Sequence, residues 1–202
     1  MARYTGPKNK LARRVGEDLG LKTNSLKVAS RIMVRPGQHG AKSRRKLSDY
    51  GQQLKEKQKL RIMYGIMEKQ IRRLYTEASA SVTATGSTLL SLLERRLDNV
   101  VYRLGWAPTR AAARQLVSHG HARVNQKKMD IPSYRVKVED LITITDRGLK
   151  IPLVAELVKE ESIDAPEWLQ RKKAVAKVMR LPVREDIKEP IEEQFVIEYY
   201  SR

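Results

Sequence analysis

The 202-residue chain has no cysteine. That absence removes disulfides, thiolate-bound zinc and thiol catalysis from consideration, and it agrees with a reducing compartment. No uninterrupted apolar run approaches the length of a membrane span, and the opening Met-Ala-Arg-Tyr-Thr-Gly-Pro lacks the apolar core of a secretory signal. The expectation is a chain of the cytosol, or of an organelle matrix once a transit peptide is removed, with no membrane contact. Internal repeats are missing too, as are a phosphate-cradling Gly-x-x-x-x-Gly-Lys and a nucleophile with a recognisable base. Catalysis, a cofactor and a small-molecule substrate are therefore not expected.

Positive charge is abundant. Lys plus Arg total 41 against 23 acidic residues, a formal charge of +18, and charge this large is self-repulsive until a polyanion arrives. Its distribution is uneven: residues 1–75 carry 20 basic and 5 acidic side chains, residues 76–202 carry 21 and 18. Within the second part, 95–150 hold 12 basic and 5 acidic groups, a second basic patch. With 41% apolar residues, the chain still has enough material for a core.

Residues 1–47 are rich in Lys, Arg and Gly and include the turn-forming Pro36-Gly37-Gln38-His39-Gly40. They read as a basic arm, irregular in isolation, whose Leu11, Leu19, Leu21 and Ile32 are anchors for ordering on a partner. From Ser48 or Asp49 the apolar spacing predicts helices over about 49–63 and 67–78, separated at Tyr64-Gly65, and then a small-residue loop over 78–88. Leu89, Leu93, Leu97, Val100 and Leu104 recur at three and four and predict one further helix with a buried stripe. Thr109 can cap the next, with Ala112, Ala113, Leu116 and Val117 packing and Arg110 and Arg114 sharing its exposed face.

Gly120 ends that helix, and alternation through 121–125 into the polar Asn125-Gln126-Lys127-Lys128 predicts a hairpin. Strands are expected over 134–138 and 141–145, and a helix from Pro152. Residues 168–181 are ambiguous. Pro190 at the first helical position, with Ile191, Phe195 and Tyr199 on one face, predicts a C-terminal helix. The elements from about 94 to 146 form a compact α+β unit.

The run Glu94-Arg95-Arg96-Leu97-Asp98-Asn99-Val100-Val101-Tyr102-Arg103-Leu104-Gly105, followed by Thr109-Arg110, Ala113-Arg114-Gln115-Leu116-Val117, His119-Gly120-His121 and Val124-Asn125, resembles the RNA-binding domain of the small-subunit ribosomal protein S-four family. That domain also occurs in pseudouridine synthases, but no segment outside it resembles their catalytic domain. The flanks, among them Ala2-Arg3-Tyr4-Thr5-Gly6-Pro7, Leu47-Ser48-Asp49-Tyr50-Gly51 and the ending Glu193-Gln194-Phe195-Val196-Ile197-Glu198-Tyr199-Tyr200-Ser201-Arg202, are similar to the bacterial or plastid ribosomal family itself. The resemblance covers nearly the whole chain.

The resemblance implies an α+β fold. A mostly helical discontinuous domain, 48–93 and 182–202, follows the arm 1–47 and receives an inserted RNA-binding domain over 94–181, with core motif 94–146 and strand over 168–181. It implies a primary binder of small-subunit (16S) ribosomal RNA at a multi-helix junction of the 5′ domain, nucleating assembly. Ribosomal proteins S-five and S-three and mRNA near the entry channel are the implied neighbours, S-five with a bearing on translational accuracy. The family includes repressors of their own messenger, so a translational regulator is the rival reading. Where some relatives carry a zinc-binding cysteine cluster, this chain has Asn9 and Ala12, and no metal is expected. Gln126 stands where the family has Gly, which leaves the turn type open.

Charge and resemblance together nominate an RNA-binding set. In the arm it comprises Arg3, Lys8, Arg13, Arg14, His39, Arg44, Arg45 and Lys46; in the helical part, Tyr50, Lys57 and Lys59. In the inserted domain it comprises Arg95, Arg96, Arg103, Arg110, Arg114, Gln115, His119, His121, Arg123, Lys127 and Lys128. Arg forks suit phosphate oxygens and stack on unpaired bases. Tyr4, Tyr50, Tyr64 and Trp106 fit base stacking and core packing equally, and His119-x-His121 lacks the further ligands a metal needs.

Overall fold

The computed structural model describes residues 4–40, 46–160 and 165–202. The described elements are, in chain order, α1 (Lys8–Val15), α2 (Ser25–Ala29), α3 (Asp49–Met63), α4 (Glu68–Ser79), α5 (Thr85–Glu94), α6 (Leu97–Arg103), α7 (Arg110–Ser118), β1 (Ala122–Val124), β2 (Lys127–Lys128), β3 (Leu141–Ile144), α8 (Asp146–Leu149), α9 (Pro152–Lys159), β4 (Leu169–Lys172), β5 (Val175–Val178) and α10 (Glu193–Tyr200). They separate into two compact units, Met1–Leu89 with Glu189–Arg202, and Leu90–Lys188. The fold is α+β: helices plus one small antiparallel sheet.

The first unit is helical. Ser48 Oγ accepts the Gly51 N–H at 3.3 Å and starts α3, which ends where Gly65 takes φ +62°. A side chain in that left-handed region is strained, so the glycine lets the chain turn into α4 rather than continue. Leu60, Ile62 and Met63 of α3 and Ile71, Leu74 and Ala78 of α4 are buried. α10 packs on α3 and α4, tied by Gln53 Nε2 to Glu198 at 2.9 Å and by Tyr200 Oη to Glu68 at 2.7 Å.

Two expectations fail in this unit. The described part of the arm is not irregular throughout: α1 and α2 are helices, with 16–24 and 30–39 irregular, and Ala12, Val15, Leu19 and Val28 are buried. Ala12 and Val15 are spaced three apart on α1, a narrow apolar stripe that dense charge conceals, and Leu19 follows the turn at Gly16. The C-terminal helix starts at Glu193 with Glu192 as N-cap, so Pro190 lies before it, and Val196 rather than Phe195 or Tyr199 is its buried residue.

In the second unit five strands run antiparallel in the order β2-β1-β3-β5-β4. Their inner face, with Ala122, Val124, Ile142, Ile144, Ala176 and Val178, packs with Leu97, Val100 and Leu104 of α6 and Val117 of α7. Trp106 and Trp168 are fully buried, and Trp106 Nε1 donates to Lys173 O at 2.9 Å, so this tryptophan is core rather than a stacking platform. Thr109 Oγ1 caps α7 by accepting the Ala112 N–H at 3.2 Å. Arg171 donates to Leu157, Val158 and Glu160 carbonyls at 2.7–3.2 Å, closing the end of α9.

The single helix expected over 89–104 is two, broken at Arg95-Arg96, and the expected strand 134–138 is not one. The two departures share a cause. The chain at 132–136 lies beside 95–98: Leu97 N donates to Tyr134 O at 2.8 Å, Asp98 N to Pro132 O at 3.1 Å, and Val136 N to Arg95 O at 2.9 Å. These bonds, with the isolated bridge Arg96–Arg135, replace helical ones in one segment and sheet ones in the other. Residues 168–181 supply β4 and β5.

Candidate nucleic-acid interface

The second unit's basic motif divides into two populations. The first is internal. Glu94, 1% exposed, accepts Arg103 Nε at 2.9 Å, Arg103 Nη2 at 2.7 Å and Asn99 Nδ2 at 2.7 Å. Asn99 Oδ1 in turn accepts Arg110 Nε at 2.8 Å, and the Arg110 guanidinium lies 4.5 Å above the Tyr102 ring. Arg96 grips Asp98 through two bonds of 3.0 and 2.7 Å, and Arg114 approaches the same carboxylate at 3.5 Å.

This corrects the expectation that Arg110 and Arg114 share an exposed face. Arg114 is buried and Arg110 half-buried. Both hold α6 against α7. Arg96 is likewise buried, and Arg103 and Arg95 are half-buried, with Arg95 Nε donating to Val136 O at 3.2 Å. Removing a carboxylate from so dry a pair strands a charge, which is why the arginines occur with Glu94 and Asp98.

The second population faces outward. Gln115, His119, Arg123, Lys127 and Lys128 are exposed, and His121 is half-buried with its ring 6.1 Å from that of His119. Arg123, Lys127 and Lys128 form no ion pair among the described residues. The hairpin presenting them turns at Asn125 and Gln126, with φ +49° and +66°. Two successive positive values make this a type I′ turn, which settles the question Gln126 raised and means a glutamine holds a conformation glycine adopts freely. Asn125 anchors the turn: its Nδ2 donates to Asp140 at 2.8 Å and its Oδ1 accepts the Leu141 N–H at 2.9 Å. Asp140, buried and also accepting the Lys137 N–H at 2.8 Å, is a supporting residue that sequence reasoning missed. Gly120 (φ +72°) lies under the Lys128 side chain, where a Cβ would fall 2.1 Å from its Cε.

In the first unit Arg14, His39 and Lys46 are exposed and Lys8 half-buried. Arg13 is occupied internally, donating to Val34 O at 2.8 Å and Arg35 O at 3.2 Å. Lys57 and Lys59 do not face outward as expected. Both are buried, Lys57 3.0 Å from Glu68 and over the Tyr199 ring at 4.4 Å, Lys59 2.6 Å from Glu17. Burial pulls the Glu68 carboxyl upward, but hydrogen bonds from Tyr200 and Lys57 outweigh it and hold the group below its ordinary range. Tyr50 is about half exposed. A hydrogen bond with Tyr199 pushes its hydroxyl's pKa up. Tyr64 is core and Tyr4 exposed. Arg3, Arg44 and Arg45 lie outside the described residues. Among the described residues no three His, Cys, Asp or Glu side chains gather to hold a metal, and no helix is long and apolar enough to cross a membrane.

Known proteins resemble the chain over its whole length. The family profile described as the ribosomal protein S4/S9 N-terminal domain matches residues 3–94, and that of the S4 domain matches 95–142. A protein of Methylobacillus flagellatus named small ribosomal subunit protein uS4 is 49% identical over 205 residues, covering all of this chain and 98% of its own. One of the same name from Chloroflexus aurantiacus is 49% identical over the whole of both chains. The uS4B protein of Nitrosomonas europaea is 50% identical over all of this chain and 98% of its own. Full-length identity at this level, over both the helical part and the basic α+β motif, makes the chain a member of the small ribosomal subunit protein uS4 family.

Proposed function

We propose that the chain binds small-subunit (16S) ribosomal RNA as a primary assembly protein, docking on a multi-helix junction of the 5′ domain. The observation that carries this is the outward set Arg123, Lys127 and Lys128, free of ion pairs on a hairpin whose base is fixed by Asn125 and Asp140. Such cations displace the counterions of a phosphate backbone, and a rigid support makes their spacing selective for shape. The buried arginines serve the same end indirectly by locking α6 to α7.

The organisation that fits is the basic arm 1–47, a helical domain of 48–93 and 182–202, and an inserted RNA-binding domain over 94–181. In the assembled subunit, ribosomal proteins S-five and S-three and mRNA at the entry channel are its neighbours, and contact with S-five bears on decoding accuracy. This is a structural role in the ribosome of the cytoplasm or of a plastid, with no reaction catalysed. Repression of its own messenger follows where the leader RNA displays the same junction shape.

The test is binding of the purified chain to a minimal junction RNA, a leader RNA and an unrelated folded RNA over a salt series. Tight binding to the junction alone is expected, or to junction and leader if the chain also represses. Replacing Arg123, Lys127 and Lys128 by Ala should lower the log–log salt slope by about 2.1–2.7 while leaving thermal stability unchanged. Equal grip on all three RNAs refutes the proposal.

A further inference from the structure

The outer face of the five-stranded sheet presents a line of groups that no single stretch of sequence reveals. Strand register sets Lys128, Arg123, Thr143, Val175 and Lys172 side by side across all five strands. At strand spacings of about 4.8 Å the row is about 19 Å long. Lys177 lies on the same face two residues beyond Val175, and Lys173 sits in the β4–β5 turn with φ +51°. Lys128, Arg123, Lys172 and Lys173 are exposed and form no ion pair among the described residues. The carboxylate paired with this face is Glu139, joined to Lys177 in a pair 66% and 40% exposed, which water and salt screen. Val175, 39% exposed, gives the row an apolar centre.

We propose that the β4–β5 end of this face, with Lys172, Lys173 and Lys177, is a second RNA-binding surface, taking the phosphate backbone of a duplex segment other than the one the hairpin grips through Lys128 and Arg123. The proposal rests on the RNA-binding function proposed above. Charge complementarity identifies the occupant: the row has unneutralised cations at both ends and one aliphatic side chain between them. The core of a protein interface is depleted in lysine and built on aromatic anchors, which this face lacks. The inner sides of β1, β3, β4 and β5 are packed on the tryptophan core, so Arg123 and Lys172 sit on a rigid platform.

Because the chain has no cysteine, a single one can carry a tethered hydroxyl-radical source. Full-length Val175→Cys and, as a reference, Lys127→Cys are bound to 5′-domain ribosomal RNA. Cleavage from position 175 in a segment distinct from that cut from 127 is the expected result. Cleavage from 127 alone overturns the sheet-face proposal and leaves the hairpin reading standing, whereas failure of both chains to bind the RNA overturns both. In parallel, the exposed pair Lys172→Ala and Lys173→Ala should lower the salt slope by about 1.4–1.8. An unchanged slope, or cross-linking from position 175 to a ribosomal protein in place of RNA, also overturns it.

Discussion

Glu94→Gln should destabilise the second unit far more than its conservative chemistry suggests. The carboxylate is 1% exposed and accepts three bonds of 2.7–2.9 Å from Arg103 and Asn99. Glutamine keeps the shape but turns one acceptor into a donor, facing an Arg or Asn N–H, and leaves the half-buried Arg103 without its counter-charge. Breaking a buried pair in this way costs about 3–5 kcal/mol. At about 2–4 °C per kcal/mol for a chain of this size, the thermal midpoint should fall by about 6–20 °C. Calorimetry of the RNA-free chain measures it. The double variant Glu94→Gln, Arg103→Met removes the stranded charge and should regain at least half of the loss. A single-variant cost below about 1 kcal/mol, typical of a solvent-screened pair, would refute the assignment of these arginines to the scaffold.

Gln126→Gly relieves a left-handed residue in the type I′ turn and should raise stability by about 0.5–1 kcal/mol, read from urea midpoints; a loss instead would mean that the glutamine side chain holds the hairpin. Asp186 accepts Arg180 through two bonds of 2.6 and 2.7 Å. Burial draws this carboxyl's pKa upward, but hydrogen bonds from Arg180 and the Val183 N–H prevail and set it below the ordinary value. Its stabilisation is therefore complete above about pH 4 and lost as pH falls through the lower folded value. Asp186→Asn should remove that part of the acid limb in pH-dependent unfolding; an identical acid limb would show that Asp186 contributes nothing to it.

Local information carried much of the fold. Ser48 and Thr109 as caps, Gly65 and Gly120 as stops, and apolar spacing in α3, α4 and α7 are all near-neighbour effects, and there the elements match expectation. The five-stranded sheet was only partly legible, since strand over 168–181 rests on family resemblance and the pairing of β5 with β3 joins residues over thirty positions apart. The interface was less legible still. Arg123 and Arg114 look alike as letters in a basic run, yet one is exposed and the other is buried against Asp98.

The amino-acid sequence by itself determined the charge, the absence of thiol chemistry, the family and most helix boundaries, because composition and i, i+3, i+4 spacing need no partner to act. Tertiary structure alone decided which cations meet solvent, where the 89–104 helix breaks, and which lysines line one sheet face. Those outcomes depend on distant segments competing for the same backbone groups and carboxylates, as 132–136 does for 95–98 and Asp98 for both Arg96 and Arg114.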